Sequence, residues 1–528
     1  MLGGAALTSQ SSKGKGKGKP PVVIVRPPEF ALVQKADLVF LGSFNLPTGN
    51  LGGTGKFFRD QSAGGIAYDP NDGRLFAGCD FNTNWVGKVT IPALGSQTLS
   101  TPYASLPVAT QYQNPVDLTE GTQSDAINIA GGQEPAIGGL IVHGTDLYHT
   151  QYVIYDGGHT QTVETWKHST DLPTAGHSGP WHIQSPQSAG YVSGALCAIP
   201  AAWQSALGGK IISSQTGVSI IGRTSYGPNA HSWDPANFAA STPSYNLLYY
   251  NDPNFFSDGS TLYPWLSQAP SPWPWVEAQG KFWNGSHLMR GGGIVIPDGF
   301  RSYLHFGCVG RGHYWYGLDD PTNNPPSPPV FNDGVSGADA STNGAGTRIT
   351  VPNADLSAVQ LAPVGEEYYI CWLSEQSTPV RHPNSNNSVA LGCANIVGKG
   401  NSGTPTAYVD VDVAFTGNLT SQDYVVGKNR IYDPQRPGQG NHAWPYTYVC
   451  YAYDLNDLAA AKAGTKNPYD IVPYAMWDIA ALLPDTASQY SQIHGVAWDA
   501  AGRRLFIELI LTGASGTYKT IVVFQVAP

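Results

Sequence analysis

Charge is scarce in this chain. Asp, Glu, Lys and Arg make up 12 % of its 528 residues, against roughly 25 % in an average soluble protein. No apolar run is long enough to span a bilayer, Val22-Val23-Ile24-Val25 being the most apolar short run in the leader, so no membrane span is expected. A normal secretory signal is also missing, because the first basic residues follow the weakly apolar Leu2–Leu7 patch instead of preceding an apolar stretch. Export by that route is not expected unless a signal has been removed. The six cysteines, Cys79, Cys197, Cys308, Cys371, Cys393 and Cys450, show no Cys-x-x-Cys spacing, which argues against a zinc site. Cys79, Cys308, Cys371 and Cys450 sit in or beside apolar strand-like sequence and read as buried free thiols, with one or two disulfides as the alternative. There is no Gly-x-Ser-x-Gly elbow, Walker A loop, dinucleotide fingerprint or EF-hand loop. Enzymes that announce themselves locally are thereby disfavoured, whereas those assembled from distant loops are not.

What is present is turn and strand material. Gly (62), Pro (41), Tyr (28) and Trp (14) are abundant and helix formers are few, so the expected class is all-β. One short helix is expected over Asp457–Ala463, capped by Asn456 and stopped by Gly464. The formal charge is −10. Lys13, Lys15, Lys17, Lys19 and Arg26 stand without any acid in residues 1–28, leaving the rest of the chain more acidic still. An acidic body argues against nucleic acid as a partner. The Gly/Lys leader ends in two Pro pairs and reads as a flexible to semi-rigid basic arm over 1–28, suited to docking on a neighbouring subunit.

One stretch occurs twice. Gly65-Ile66-Ala67-Tyr68-Asp69-Pro70-Asn71-Asp72-Gly73-Arg74-Leu75-Phe76 aligns without a gap with Gly495-Val496-Ala497-Trp498-Asp499-Ala500-Ala501-Gly502-Arg503-Arg504-Leu505-Phe506. Each copy reads as strand, turn, strand, with Asp69 and Asp499 as turn residues bonding their own backbone. A hairpin repeated at both ends of a chain suggests a ring, since radial repetition hides the edges of antiparallel sheets. Val89–Pro92 follows the first copy as a probable outer strand. Weaker copies stand at Gly139–Tyr148, Gly293–Phe306 and Val359–Ile370, with others at Gly217–Asp234 and Tyr408–Phe415. The expectation is therefore a β-propeller of six or seven blades over 29–528, with long loop insertions. Long loops on a rigid scaffold are where binding sites are usually built.

The Gly-apolar-Ala-aromatic-Asp-x4-Arg-Leu-Phe hairpin resembles the blade signature of the NHL, YVTN and gluconolactonase-like propeller families, which implies fold far more than activity. Ile220–Pro228, Gln439–Tyr446 and Tyr453–Leu458 resemble segments of a family of uncharacterised bacterial and phage-encoded proteins, which implies a propeller-like body and no particular activity.

Aromatics concentrate at Trp265, Trp273, Trp275 and Trp283, interleaved with proline, and again at Arg311-Gly312-His313-Tyr314-Trp315-Tyr316. Rings on proline-stiffened loops offer apolar faces to a sugar or a protein, although they also serve as filling between blades. His442 and His494, together with Arg223 and Arg311, are candidates for the channel lining, with a hydrogen-bonded structural role as the alternative for each histidine. His177 and His182 form the closest histidine pair, yet no helix or third ligand supports a metal there. These features suggest a non-enzymatic extracellular or virion-surface binding protein, such as a phage tail or capsid component, that recognises a surface glycan or protein and needs no cofactor. The alternatives are a carbohydrate-active or lactonase-like enzyme with a divalent cation in the central channel, drawing on Glu277, Asp319, Asp320, Glu366 or Glu367 as its carboxyls, and a purely structural assembly subunit.

Overall fold

A computed structural model describes residues 29–54, 58, 65–79, 85–122, 136–153, 161–184, 189–215, 228–240, 242–249, 292–310, 313–315, 389–391, 446–468, 471, 473–484, 492–512 and 518–527. Leu38–Asn45 (β1) is an edge strand whose partners come from the far end of the chain. The first complete blade follows as Ile66–Asp69 (β2), Arg74–Gly78 (β3), Trp85–Thr90 (β4) and Thr110–Asp117 (β5). Val89 and Thr90 thus end a third strand, and the outermost strand is β5. The second blade is Ala136–His143 (β6), Asp146–Tyr152 (β7), Thr165–Ser169 (β8) and His177–Trp181 (β9).

Ile183–Gln184 (β10) joins the rim of the third blade, which consists of Leu196–Ala198 (β11), Ile211–Ser213 (β12), Ala230–Trp233 (β13) and Thr242–Leu248 (β14). Its first two strands are joined through a helix, Ala201–Leu207 (α1). The fourth blade is Gly293–Val295 (β15), Ser302–Gly310 (β16), Tyr446–Asp454 (β19) and Ala475–Asp478 (β20); between its middle strands the chain makes a separate pair, His313–Trp315 (β17) with Val389–Leu391 (β18). A second helix, Leu455–Lys462 (α2), links β19 to β20. It begins two residues before the expected start because Asp454, not Asn456, is the cap, its carboxylate accepting the Asn456 N–H at 2.9 Å.

Gln492–Asp499 (β21), Arg504–Thr512 (β22) and Tyr518–Val526 (β23) form the last blade, and β1 pairs with β23 as its fourth strand. The first strand of the described chain and the last therefore close the ring on each other.

The ring has five blades, not six or seven. The inner strand β2 packs beside β6 and β21, β11 beside β6 and β15, and β15 beside β21, which completes a circle with no gap for another blade. The surplus in the sequence count has one source, and one further copy is misassigned within a real blade. Val359–Ile370 and Tyr408–Phe415 lie outside the described residues, within the single excursion that leaves β16 and returns on β19, two strands that pair directly from Ser302↔Asp454 to Gly310↔Tyr446. Gly217–Asp234 holds the third strand of its blade and not an inner hairpin.

Apolar clusters fill the spaces between blades. Leu304 and Phe306 meet Leu505 and Ile507 between the fourth and fifth blades, while Ile66, Leu75 and Val89 meet Phe506 and Val523 between the fifth and first. At the axis the inner strands touch backbone to backbone: a Cβ on Gly138 would fall 1.9 Å from the Ser193 carbonyl oxygen. Glycine there is a consequence of drawing only five strands around one axis.

Candidate functional site

The inner strands run parallel to one another around the axis, so the two faces of the ring differ in what they carry. On one face each inner strand turns into the next strand of its own blade, through residues 70–73, 144–145, 199–210, 296–301 and 500–503. Side chains on this face tie several of these connections to their neighbours, Lys462 reaching in from α2 and Trp498 from the end of β21. Asn71 Nδ2 donates to the Gly144 carbonyl at 2.9 Å, Trp498 Nε1 to the Asp298 carboxylate at 2.8 Å, Arg503 Nη1 to the Asp298 carbonyl at 3.3 Å and Lys462 Nζ to the Ser205 carbonyl at 3.2 Å. The strands flanking 249–292 and 311–445 end on the opposite face, where the inner strands begin.

Along the axis lies a cavity of about 380 Å³, walled by all five inner strands, within the size range of small-molecule sites. Its wall is mostly aliphatic, with Ile66, Leu140, Leu196 and Val496 among the lining residues. At the hairpin end, the wall gains Tyr68, Asp298, Trp498 and Asp499. Asp499 is fully engaged: its carboxylate accepts Arg504 Nε at 2.8 Å and the Gly502 N–H at 3.0 Å, and Arg504 Nη2 lies 2.7 Å away. Tyr68 stacks on Phe506 with centroids 5.7 Å apart, and burial, reinforced by the Asp499 charge, raises its phenol. Asp298 accepts from Trp498, and no cation pairs with its carboxylate among the described residues. Cys197 also lines the cavity as a buried free thiol whose acidity burial suppresses, so it is not poised as a nucleophile.

None of the sequence candidates is among the described residues that line the cavity. Trp265, Trp273, Trp275, Trp283, Arg223, Arg311 and His442 lie outside the described residues, as do the carboxyls Glu277, Asp319, Asp320, Glu366 and Glu367 and the arm 1–28. His313, Tyr314 and Trp315 form β17 on the excursion from the fourth blade. Cys79, Cys197 and Cys450 are buried and free, while Cys371 and Cys393 are outside the described residues.

His177 and His182 do not converge. His177 lies 3.4 Å from Glu120 and 3.3 Å from Thr122 Oγ1, whereas His182 Nδ1 sits 2.7 Å from the buried Glu164. Burial raises the Glu164 carboxyl and His182 opposes it, while the Gly176 N–H, the strongest influence on Glu120, lowers that carboxyl. The remaining inward histidines are structural. His149 is stacked on Trp166 and driven by burial to about 3, and His305 and His231 are driven to about 3 and about 4. His494 is buried in β21 at the axis. Among the described residues no group of three metal-ligating side chains comes together, and no helix is long and apolar enough to cross a membrane.

Tyr68, Asp298 and Trp498 were not singled out as a site by sequence. A signal did exist, since Tyr68 and Trp498 occupy the same register of the twin hairpins, one residue before the turn aspartate.

The architecture defines a five-bladed β-propeller closed by strands from both ends of the chain. No protein-family model matches the sequence, and no curated protein matches it.

Proposed function

We propose that the protein is a non-enzymatic binding protein that recognises a surface glycan on the face opposite the hairpin turns, and that it works outside the cell or on a virion with the basic arm 1–28 docking to a neighbouring subunit. The observation that carries this is the division of labour between the faces. One face carries the connections from each inner strand to the next strand of its blade, several of them hydrogen-bonded to a neighbour, and the flanking strands deliver both of the longest connections, 249–292 and 311–445, to the other. Those two connections contain the aromatic-proline sequence around Trp265–Trp283 and the Arg311–Tyr316 run. Flat aromatic faces suit sugar rings, and a rigid ring beneath them limits the ordering cost of binding.

The test is a glycan array with the full chain, repeated with Trp273→Ala and Trp315→Ala. Saturable binding to a glycan class, weakened at least tenfold in either variant without turnover of the glycan, supports the reading. Binding to no glycan, or hydrolysis of the one bound, overturns it.

A further inference from the structure

A second ligand site follows from the axial cavity, independently of the loop face. Three properties bear on what would fill it. The walls are aliphatic over most of their area, with Ile66, Leu140, Leu196 and Val496 contributed by four different blades. At the hairpin end, two aromatic side chains, Tyr68 and Trp498, stand in the wall. Between the turns of the fourth and fifth blades sits Asp298, half-buried, holding a Trp498 N–H but no cation among the described residues. Its neighbour in the wall, Asp499, differs in that Arg504 neutralises it. Arg503 donates Nε to the Val526 carbonyl and Nη1 to the Asp298 carbonyl, its Nη2 has no hydrogen-bond partner among the described residues, and it makes no ion pair with the Asp298 carboxylate.

An apolar bore with two aromatic side chains in its end wall and one carboxylate that no described cation pairs with selects by charge sign. An anion would meet the Asp298 carboxylate. A neutral hydrocarbon gains only burial. A cation with an apolar tail gains burial along the bore and charge attraction to Asp298. The net negative charge of the chain acts in the same direction at longer range. The geometry points to this cavity as a binding site for a small amphipathic cation, an alkyl- or arylammonium, with its tail among the inner strands and its nitrogen at Asp298.

The probes are 1-hexylammonium, 1-hexanol and hexanoate, equal in chain length and different in charge. Each is titrated into the full chain and followed by saturation-transfer NMR at low ionic strength. Hexylammonium is expected to bind saturably, about tenfold more tightly than hexanol, with the advantage shrinking as salt is added, and hexanoate not to bind. Asp298→Asn removes the preference for ammonium over alcohol while leaving hexanol bound. Ala198→Phe, at an exposed position of the cavity wall, plugs the bore and abolishes binding of both, its melting temperature serving as the check on folding. Equal affinity for hexylammonium and hexanol in the unaltered chain, an ammonium preference that survives Asp298→Asn, or unchanged binding in a folded Ala198→Phe protein would each overturn the assignment. None of these readouts depends on Trp273 or Trp315, so the two sites stand or fall separately.

Discussion

The twin hairpins began as one sequence pattern and ended as two different electrostatic solutions. In both, the turn aspartate accepts a backbone N–H from its own turn, Asn71 onto Asp69 and Gly502 onto Asp499. In both it is almost fully buried and needs a cation. In the first blade the cation is Lys88, reaching from the third strand to within 2.6 Å of Asp69 and 2.7 Å of Asp72, while Arg74 is turned aside onto Asp72 at 3.1 Å. In the last blade the position facing Phe506 across the sheet, where Lys88 faces Phe76, is Val523. There Arg504, the counterpart of Arg74, takes the aspartate directly. The counterpart of Asp72 is Gly502, so the second acid is missing where the lysine is missing. Two positions have changed together, an acid and a base, so that each turn aspartate still has one cation against it.

The last blade also carries a pair that the first lacks. Glu508 and Lys519 lie 2.6 Å apart with both side chains 0 % exposed, and they clasp the first blade: the Gly65 N–H donates to Glu508 at 3.3 Å and Lys519 Nζ to the Gly78 carbonyl at 2.8 Å. In the register of the twins, Gly78 occupies the place of Glu508. A glutamate there would compete for the same space at the seam, so the asymmetry lets one copy hold the other. Removing one partner from a fully buried pair leaves a charge in the interior, which costs about 3–5 kcal/mol. Lys519→Met is therefore expected to lose about that much at pH 7, measured by urea unfolding, the largest loss of any substitution considered. Burial already drives the Glu508 carboxyl upward. Without Lys519 the folded state holds its proton more tightly than the unfolded chain does, so stability is lost as pH rises above the ordinary carboxylate range and regained as pH falls toward it. A loss that is the same at pH 5 and pH 7 would contradict the picture of a stranded carboxylate.

The next largest effects divide the twins. Lys88→Val strands the buried Asp69 and is expected to cost about 3 kcal/mol. Arg504→Leu strands Asp499, which is as buried as Asp69, but the cation it removes is 30 % exposed on its side-chain surface, so water can enter in its place and the expected cost is smaller, about 1–2 kcal/mol. Equal costs would mean that the two turns are not electrostatically distinct. The comparison is sharpened by transplanting the last blade's solution into the first. With Lys88→Val and Asp72→Gly together, Arg74 loses its present partner and can close on Asp69 as Arg504 does on Asp499. The double variant is expected to be more stable than Lys88→Val alone by at least about 1 kcal/mol, a non-additivity of the size seen for coupled neighbours. Strict additivity would dissolve the idea that the two positions compensate each other.

The same hairpins explain what sequence could and could not disclose. Where an inner strand meets its partner through a tight turn, as at Tyr68–Arg74, His143–Asp146 and Asp499–Arg504, alternation and turn residues together mark the blade. The third blade was placed on its outer part, Gly217–Asp234, and its inner hairpin was not legible because the two inner strands have three residues each and α1 lies between them, so neither the period nor the turn is visible. The count came out too high for the opposite reason. Strand-like alternation in Val359–Ile370 and Tyr408–Phe415 says nothing of whether a segment joins the ring, a matter decided by the pairing of β16 with β19 around it. The free state of the buried thiols Cys79 and Cys450 was legible from their apolar surroundings. The cavity was not, because Tyr68, Asp298 and Trp498 are 230 and 200 residues apart and meet only when the ring shuts. The turn aspartates hid it further, since their local role is real and accounts for them without any site.

The smallest expected effects concern the one turn position where the copies differ in backbone cost. Gly73 has φ +74° and its counterpart Arg503 has φ +51°, so the same left-handed turn is made once by the residue suited to it and once by a residue that is not. Arg503 is held there by its side chain, which donates to Val526 and Asp298 carbonyls and lies over the Phe300 ring with its guanidinium 5.5 Å from the centroid. Arg503→Gly trades relief of roughly 1 kcal/mol of backbone strain for the loss of these contacts, and the net change is expected to stay within about 0.5 kcal/mol. Gly73→Arg incurs the strain with no equivalent partners, because Gly144 and not an Asp298-like turn stands beside it, and is expected to cost about 1 kcal/mol. Calorimetric melting of the two variants decides between these values. A clear gain in Arg503→Gly would mean that its side chain contributes nothing to joining the fourth and fifth blades, and that the copy with glycine is simply the better turn.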